Sequence, residues 1–449
     1  MKKIIFLLII SSFLWSQSVS ATMTIYKDGY GLIKQPVNWD VASGLSNIRY
    51  DRVPRGMIAE SSFLSLKGAN IHTQHLDFNV FSGESYFKLK LGQEIEIKSN
   101  GDKPINGILL EYSPSTITLQ TKSNVRSFPR SAVSAMSVKE VIEEPQYRPE
   151  LSWDINSNKS GRIDGELVYM SKGFEWDAIY RMILKENDNV AELISEAYIT
   201  NRSNISFSLL TLQLVEGTLS RVRHSKTLAR PMEMRMDVMA ESMGSTTVPA
   251  LESLGDYHIY KIPGVLRLKA NESLTVSLYT PREVSFNKTY LFENYEQNQR
   301  EEPLIVQLSF DNTEDNNLSI PLPQGLVELF QLTESGALEF LGEDQIKQVP
   351  KGSTVDLVAG RAFDVIGKRI VINYDRQRKS EEASIQIHIR NTKDQDVLVH
   401  AIEKISGDWV IRDESTMYIK DDASTIHFPV TIPAGEEQYI TYTYRKEWN

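Results

Sequence analysis

Residues 384–390 read SIQIHIR, and the reading of this stretch decides the fold. Ile385, Ile387 and Ile389 fall on one side of an extended chain, and Gln386, His388 and Arg390 on the other, because successive side chains of a strand point to opposite faces. Residues 176–185 repeat the pattern. Trp176, Ala178, Tyr180, Met182 and Leu184 share one face, and Asp177, Ile179, Arg181, Ile183 and Lys185 the other. Burying a large side chain such as Trp176 stabilises a layered core by about 1.5–3 kcal/mol. The same alternation runs along most of the chain, cut by turn residues about every 8–12 positions, the mark of an all-β protein. The best helical stretch is short and lies near residues 131–136. The expected fold is therefore all-β: several Ig-like β-sandwich domains plus one small SH3- or Sm-like barrel, with no long helices.

Working outward, the 449 residues divide at composition shifts. Residues 1–21 read as a signal peptide and 22–88 as an N-terminal β domain, with Asp28-Gly29 as a hairpin turn. Residues 89–141 read as the small barrel, with strands at 94–98, 107–112, 116–121 and 125–128 and a closing 3₁₀ turn at 130–132. A linker, EEPQYRP, leads into a central β-sandwich region over 147–374, which carries a methionine-rich insert at about 218–255. Residues 375–449 read as a C-terminal Ig-like sandwich. Three stretches share one design: YITNRSNISFS (198–208), SFDNTEDNNLS (309–319) and HIRNTKDQDVLV (388–399). Each is a strand, then an Asn with Ser or Thr nearby, then a polar run and another strand. Asn and Asp suit such turns because their side chains bond to nearby backbone and tolerate left-handed conformations.

The N-terminus reads as an export signal. Lys2 and Lys3 precede an apolar run over residues 4–15, broken only by Ser11 and Ser12, and Val19-Ser20-Ala21 supplies small residues for cleavage after Ala21. The run falls short of the roughly 20 apolar residues that span a bilayer, and no later segment approaches that length. The chain has no cysteine, hence neither a lipid-anchoring cysteine nor disulfides. These features predict a periplasmic or secreted protein that does not span the membrane once the signal is removed. The net charge of −10, with Lys and Arg spread out, argues against nucleic acid as a partner.

Residues 312–369 carry a family resemblance. An Asn-Thr-acidic turn leads into Leu322-Pro323-Gln324-Gly325, then Leu341-Gly342-Glu343-Asp344, Pro350-Lys351-Gly352 and Ala362-Phe363-Asp364-Val365-Ile366-Gly367. In this order they resemble the exported bacterial mucoidy-inhibitor-like family, which is built on a domain of unknown function. Leu151-Ser152-Trp153 and residues 173–180 look like its earlier strands, Gly407-Asp408-Trp409 and Pro433-Ala434-Gly435 like its C-terminal sandwich, and Ile25-Tyr26 with Asp28-Gly29 like its first domain. Longer members carry a coiled coil between the two parts, where this chain has the small barrel and no sustained heptads. The resemblance implies a role in the cell envelope. It supplies no catalytic or ligand-binding residue.

Candidate chemistry is sparse. In residues 309–325, SFDNTEDNNLSIPLPQG, acids and amides crowd around Asp311, Asn312, Asp315 and Asn316. A calcium loop of the EF-hand type starting at Asp311 would need Gly at its sixth position and Glu at its twelfth, where Asn316 and Leu322 stand, so a solvated strand connection is expected. The segment PMEMRMDVMAESMG brings together Met232, Met234, Met236, Met239 and Met243, five of the chain's twelve methionines. Thioethers select Cu(I), which makes these the candidate metal ligands; the alternatives are a flexible connection covering a sandwich edge, or sacrificial oxidation. His72 and His75 form an H-x-x-H pair that a strand would turn to opposite faces. GRAFDVIGKR (360–369) fails as a phosphate loop in spacing and in having Arg369 after Lys368. The C-terminal YITYTYRKEWN alternates like a membrane-barrel strand but ends in Asn449, and a sandwich hairpin is the expected reading. No nucleophile elbow, zincin motif or cysteine nucleophile occurs. The sequence thus predicts a non-catalytic, exported cell-envelope protein that binds a protein or glycan partner, with no cofactor. The alternatives are an enzyme acting on envelope polysaccharide, which would need two nearby carboxylates in a cleft, and a periplasmic copper-binding protein.

Overall fold

The computed structural model describes residues 20–99, 103–142, 145–185, 189–217, 250–254, 257–333 and 335–448. Strands account for 67% and helices for 4%, against about 20–25% strand in an average globular domain. The alternating stretches form the expected strands. In Phe174–Leu184, Trp176, Ala178, Tyr180 and Met182 are at most 1% exposed, and in Ser380–Asn391 the three isoleucines 385, 387 and 389 are wholly buried.

Three sheets enclose the first core. A seven-stranded sheet runs in the order Ala250–Leu254, Tyr257–Leu268, Phe207–Glu216, Ser20–Tyr26, Tyr30–Val41, Gly161–Lys172, Phe63–Leu66. Ser20–Tyr26 lies inside it, parallel to Phe207–Glu216 and antiparallel to Tyr30–Val41. A three-stranded sheet sets Glu150–Ser157 between Gly44–Tyr50 and Ala69–Asp77. A five-stranded sheet is ordered Glu272–Ser285, Val190–Asn201, Phe174–Leu184, Gly325–Leu332, Leu338–Ile346. Gly325 opens its strand where a Cβ would stand 2.2 Å from the Ala178 carbonyl oxygen, so the parallel pairing with Phe174–Leu184 requires glycine there. That is a physical reason for the Gly of the Leu-Pro-x-Gly step.

The expected division at residue 88 is not how the strands pair. Those of 22–88 share sheets with strands between 150 and 268, because turn punctuation marks where strands end but not which strands meet. The small barrel is an insertion in a hairpin: Asp77 and Glu150 face each other at its base, and the chain between them leaves and returns. Its strands follow the order Val133–Ser137, Glu94–Ser99, Ile105–Tyr112, Thr116–Gln120, Val125–Pro129, that of an SH3-like barrel, around Ile95, Ile97, Leu109, Ile117, Leu119 and Phe128. The 3₁₀ turn expected at 130–132 is present as Arg130–Ala132, and the rest of the candidate helical stretch near 131–136 is the strand Val133–Ser137. A six-residue α-helix, Gly83–Lys88, stands before the barrel instead, started by a capping box in which Ser82 and Ser85 bond to each other's backbone N–H groups. Six residues are too few to print a helical period on the sequence.

The second large core is wrapped by a nine-stranded sheet that curls into a half-barrel. The division expected at 374–375 also fails, since Asn287–Tyr295, Arg300–Asp311 and Thr354–Arg376 join this sheet with the C-terminal strands. Thr354–Arg376 serves both cores, burying Val355 and Leu357 in the first and Val365 in the second. Among the described residues no helix is long and apolar enough to cross a membrane.

Candidate binding cleft

The three repeated Asn turns are built alike. Asn201, Asn312 and Asn391 each stand at or just after a strand end and are wholly buried. Asn201 donates to the Ile205 and Lys269 carbonyls (2.9 and 2.7 Å) and accepts from the Ser203 N–H. Asn312 donates to Ile320 and Pro350 (2.7 and 2.9 Å) and accepts from the Ile320 N–H. Asn391 donates to Gln395, Ile432 and Pro433 and accepts from the Lys393 N–H. A buried amide thus closes a loop and ties it to its neighbour. The acidic loop at 311–316 is used up in the same way: Asp311 accepts from the Thr354 hydroxyl, and Asn316 bonds both backbone groups of Ser285.

The first of these turns positions a cleft. The Asn204 side chain accepts from the Arg55 N–H at 2.9 Å, and the Gly56 carbonyl accepts from the Lys172 N–H at 2.9 Å. A Cβ on Gly56 would lie 2.8 Å from the Lys172 carbonyl oxygen, so glycine lets the Arg55 loop press onto the end of the strand Gly161–Lys172. On one side of Arg55 is a hollow of about 380 Å³, with Lys172, Arg202, Ser203, Asn204 and Asn271 around it. On the other is a hollow of about 300 Å³, which Arg55 shares with Phe78, Val80, Phe81, Ser82 and Pro149. Phe78 and Phe81 are 46% and 40% exposed, and they sit where the chain leaves the hairpin for the barrel. Arg202 is already paired with Glu175 at 2.9 Å. The guanidinium of Arg55 and the ammonium of Lys172 have no ion-pair or hydrogen-bond partner among the described residues, and no carboxylate lines either hollow. A third hollow, of about 310 Å³, lies between the helix Gly83–Lys88 and the barrel, with Glu84, Phe87, Tyr112 and Arg130 on its wall. None of the three brings two carboxylates together. No protein-family model and no curated protein matches the chain.

The sequence-derived candidates lie elsewhere. Met232, Met234, Met236, Met239 and Met243, like residues 1–19, fall outside the described residues. His72 sits at a bulge in Ala69–Asp77, and His75 is 3.9 Å from Asp154, whose carboxyl is held below the usual value first by hydrogen bonds from Thr73 and Asn47 and then by the two histidines. Among the described residues no group of three or more His, Asp or Glu side chains is placed to hold a metal. Residues 360–369 run through the middle of Thr354–Arg376.

Arg369 belongs to a buried network that the sequence did not announce. It forks onto Glu403 at 2.8–3.1 Å and contacts the Tyr442 hydroxyl at 3.3 Å, and Tyr442 also donates to Glu403. Burial first, then the Glu403 charge, raises the Tyr442 hydroxyl far above its ordinary value, so it stays a donor. With both ionic side chains wholly enclosed, this network is closed to a ligand. His400 and His427 pack 4.8 Å apart near Asp421, with the His400 imidazole lowered by burial and by His427.

Proposed function

We propose that the chain is an exported, non-catalytic protein of the cell envelope that binds a protein or glycan partner. The observation that carries this reading is the pair of hollows sharing Arg55, where two cations stand without partners beside an exposed apolar wall and no carboxylate is present. Clefts that combine an apolar wall with a few placed polar groups are the usual form of ligand sites. The inserted barrel supports the same reading, since a module carried on a hairpin leaves the parent core intact and adds surface at the mouth of the cleft. The export signal read at residues 1–21 and the resemblance to an envelope family support the compartment.

The test is photo-crosslinking in intact cells. A photoreactive side chain replaces Phe81, and the crosslinked species are compared with those from a control position on the nine-stranded sheet, the exposed Thr431. Recovery of one defined envelope protein or glycan from position 81, with the protein fractionating outside the cytoplasm, is the expected result. Cytoplasmic fractionation, or turnover of an envelope polysaccharide by the purified chain, would overturn the reading.

A further inference from the structure

We infer that the cleft around Arg55 takes an acidic peptide segment in which a carboxylate side chain lies next to an apolar one. The inference rests on the binding reading above and names the ligand chemistry. Arg55 offers a planar fork that matches a carboxylate with two parallel hydrogen bonds, and Lys172 adds a point charge in the same hollow. Both are uncompensated among the described residues, whereas Arg202 beside them already holds Glu175. The neighbouring hollow is built for hydrocarbon. Phe78, Val80, Phe81 and Pro149 line it, and Ser82 is its one hydroxyl side chain.

That composition favours a peptide over a sugar. A sugar ring presents hydroxyls around its rim and binds where a flat aromatic face is joined by several hydrogen-bonding groups, and this wall has neither Trp nor Tyr and one hydroxyl. Size agrees: about 300 and 380 Å³ lie at the lower end of ligand pockets, room for one or two side chains each. Charge agrees as well. A protein of net charge −10 repels a long polyanion at a distance, and a short acidic segment meets that repulsion over a much smaller length. The local cations then decide its binding.

The experiment measures fluorescence anisotropy of a labelled octapeptide alternating Glu with Leu or Phe, titrated with the purified chain. Saturable binding is expected, weakened by added salt. Arg55→Glu or Lys172→Glu is expected to weaken it by about tenfold or more, the scale of losing one charge-assisted contact. The peptide with Gln in place of Glu, and the chain with Phe81→Ser, are expected to lose a similar factor. All three changes are to exposed or half-exposed side chains, and thermal melting of each variant checks that the fold is retained. Absence of saturable binding, equal binding by folded Arg55→Glu and Lys172→Glu variants, or preference for an acidic oligosaccharide of equal charge overturns the inference. If position 81 crosslinks a defined partner in cells and capture is indifferent to both charge reversals, this inference fails while the binding reading stands.

Discussion

Inside the curled nine-stranded sheet, Arg369, Glu403 and Tyr442 lie at the centre of the core, and Lys446 bridges Glu296 and Glu381 at its edge. In the core shared by the other three sheets, several deep polar groups are tyrosine hydroxyls on prolyl carbonyls. Tyr180 donates to Pro323 at 2.8 Å, and Tyr260 and Tyr279 both donate to Pro321, at 3.3 and 3.0 Å. Burial raises all three hydroxyls, so they remain neutral donors. Charge enters this core too, where the buried Glu216 lies 3.7 Å from Lys27, whose ammonium rests over the Trp176 ring at 4.1 Å. One core therefore centres on compensated ions, and the other leans more on neutral hydrogen bonds. The first should be the more fragile of the two to losing one partner and to acid.

The largest break in that contrast is Arg369→Met. It leaves Glu403 enclosed without its cation and is expected to cost about 3–5 kcal/mol in urea unfolding. The double change Arg369→Met with Glu403→Leu should recover most of that loss, because an apolar pair needs no compensation. A smaller effect sharpens the comparison from the other side. Asn201→Ala in one core and Asn391→Ala in the other remove the same device, and each should cost about 1–3 kcal/mol, with the two values close together. Unequal costs would mean that the turns are alike in geometry alone.

The smallest effect is the pH dependence. Burial raises the Glu381 carboxyl, but hydrogen bonds from Tyr444 and Gln297, the Lys446 charge and the Tyr374 hydroxyl outweigh it and leave it below its ordinary value. Its folded form then binds a proton less readily than the unfolded chain. The stability it contributes is present above the ordinary carboxylate range and is lost as pH falls through the folded value. Melting followed from about pH 6 to about pH 3 should show a fall that Glu381→Gln flattens. A Tyr260→Phe variant should leave the slope unchanged.

How much of this could be read in advance differs by feature. Alternation marked the strands because residues such as Ile385 and Trp176 bury one face of the strand against neighbouring elements, and the period is local. The Asn turns were visible as a degenerate repeat, and their burial explains why Asn itself recurs in all three. The barrel strands were legible because hairpins join sequence neighbours. Pairing between distant strands was not: nothing near residues 20–26 indicates residues 207–216. Nor was the cleft, since Arg55 and Lys172 are isolated charges in sequence and become a pair through the close approach that Gly56 permits. The Arg369–Glu403 pair was hidden for the same reason, each residue looking like a solvated charge on a strand.

The strand Ser20–Tyr26 is made long before its mate, for Thr24 meets Gln213, a residue 189 positions later. A ribosome adds residues in that order at about 5–20 per second. For many seconds the nascent polypeptide therefore holds a β edge whose mate does not yet exist, a template that another chain could fill. Closing so long a loop is also slow by topology. The arrangement delays closure of this sheet until its distant strand has been made, and the open edge persists over that interval.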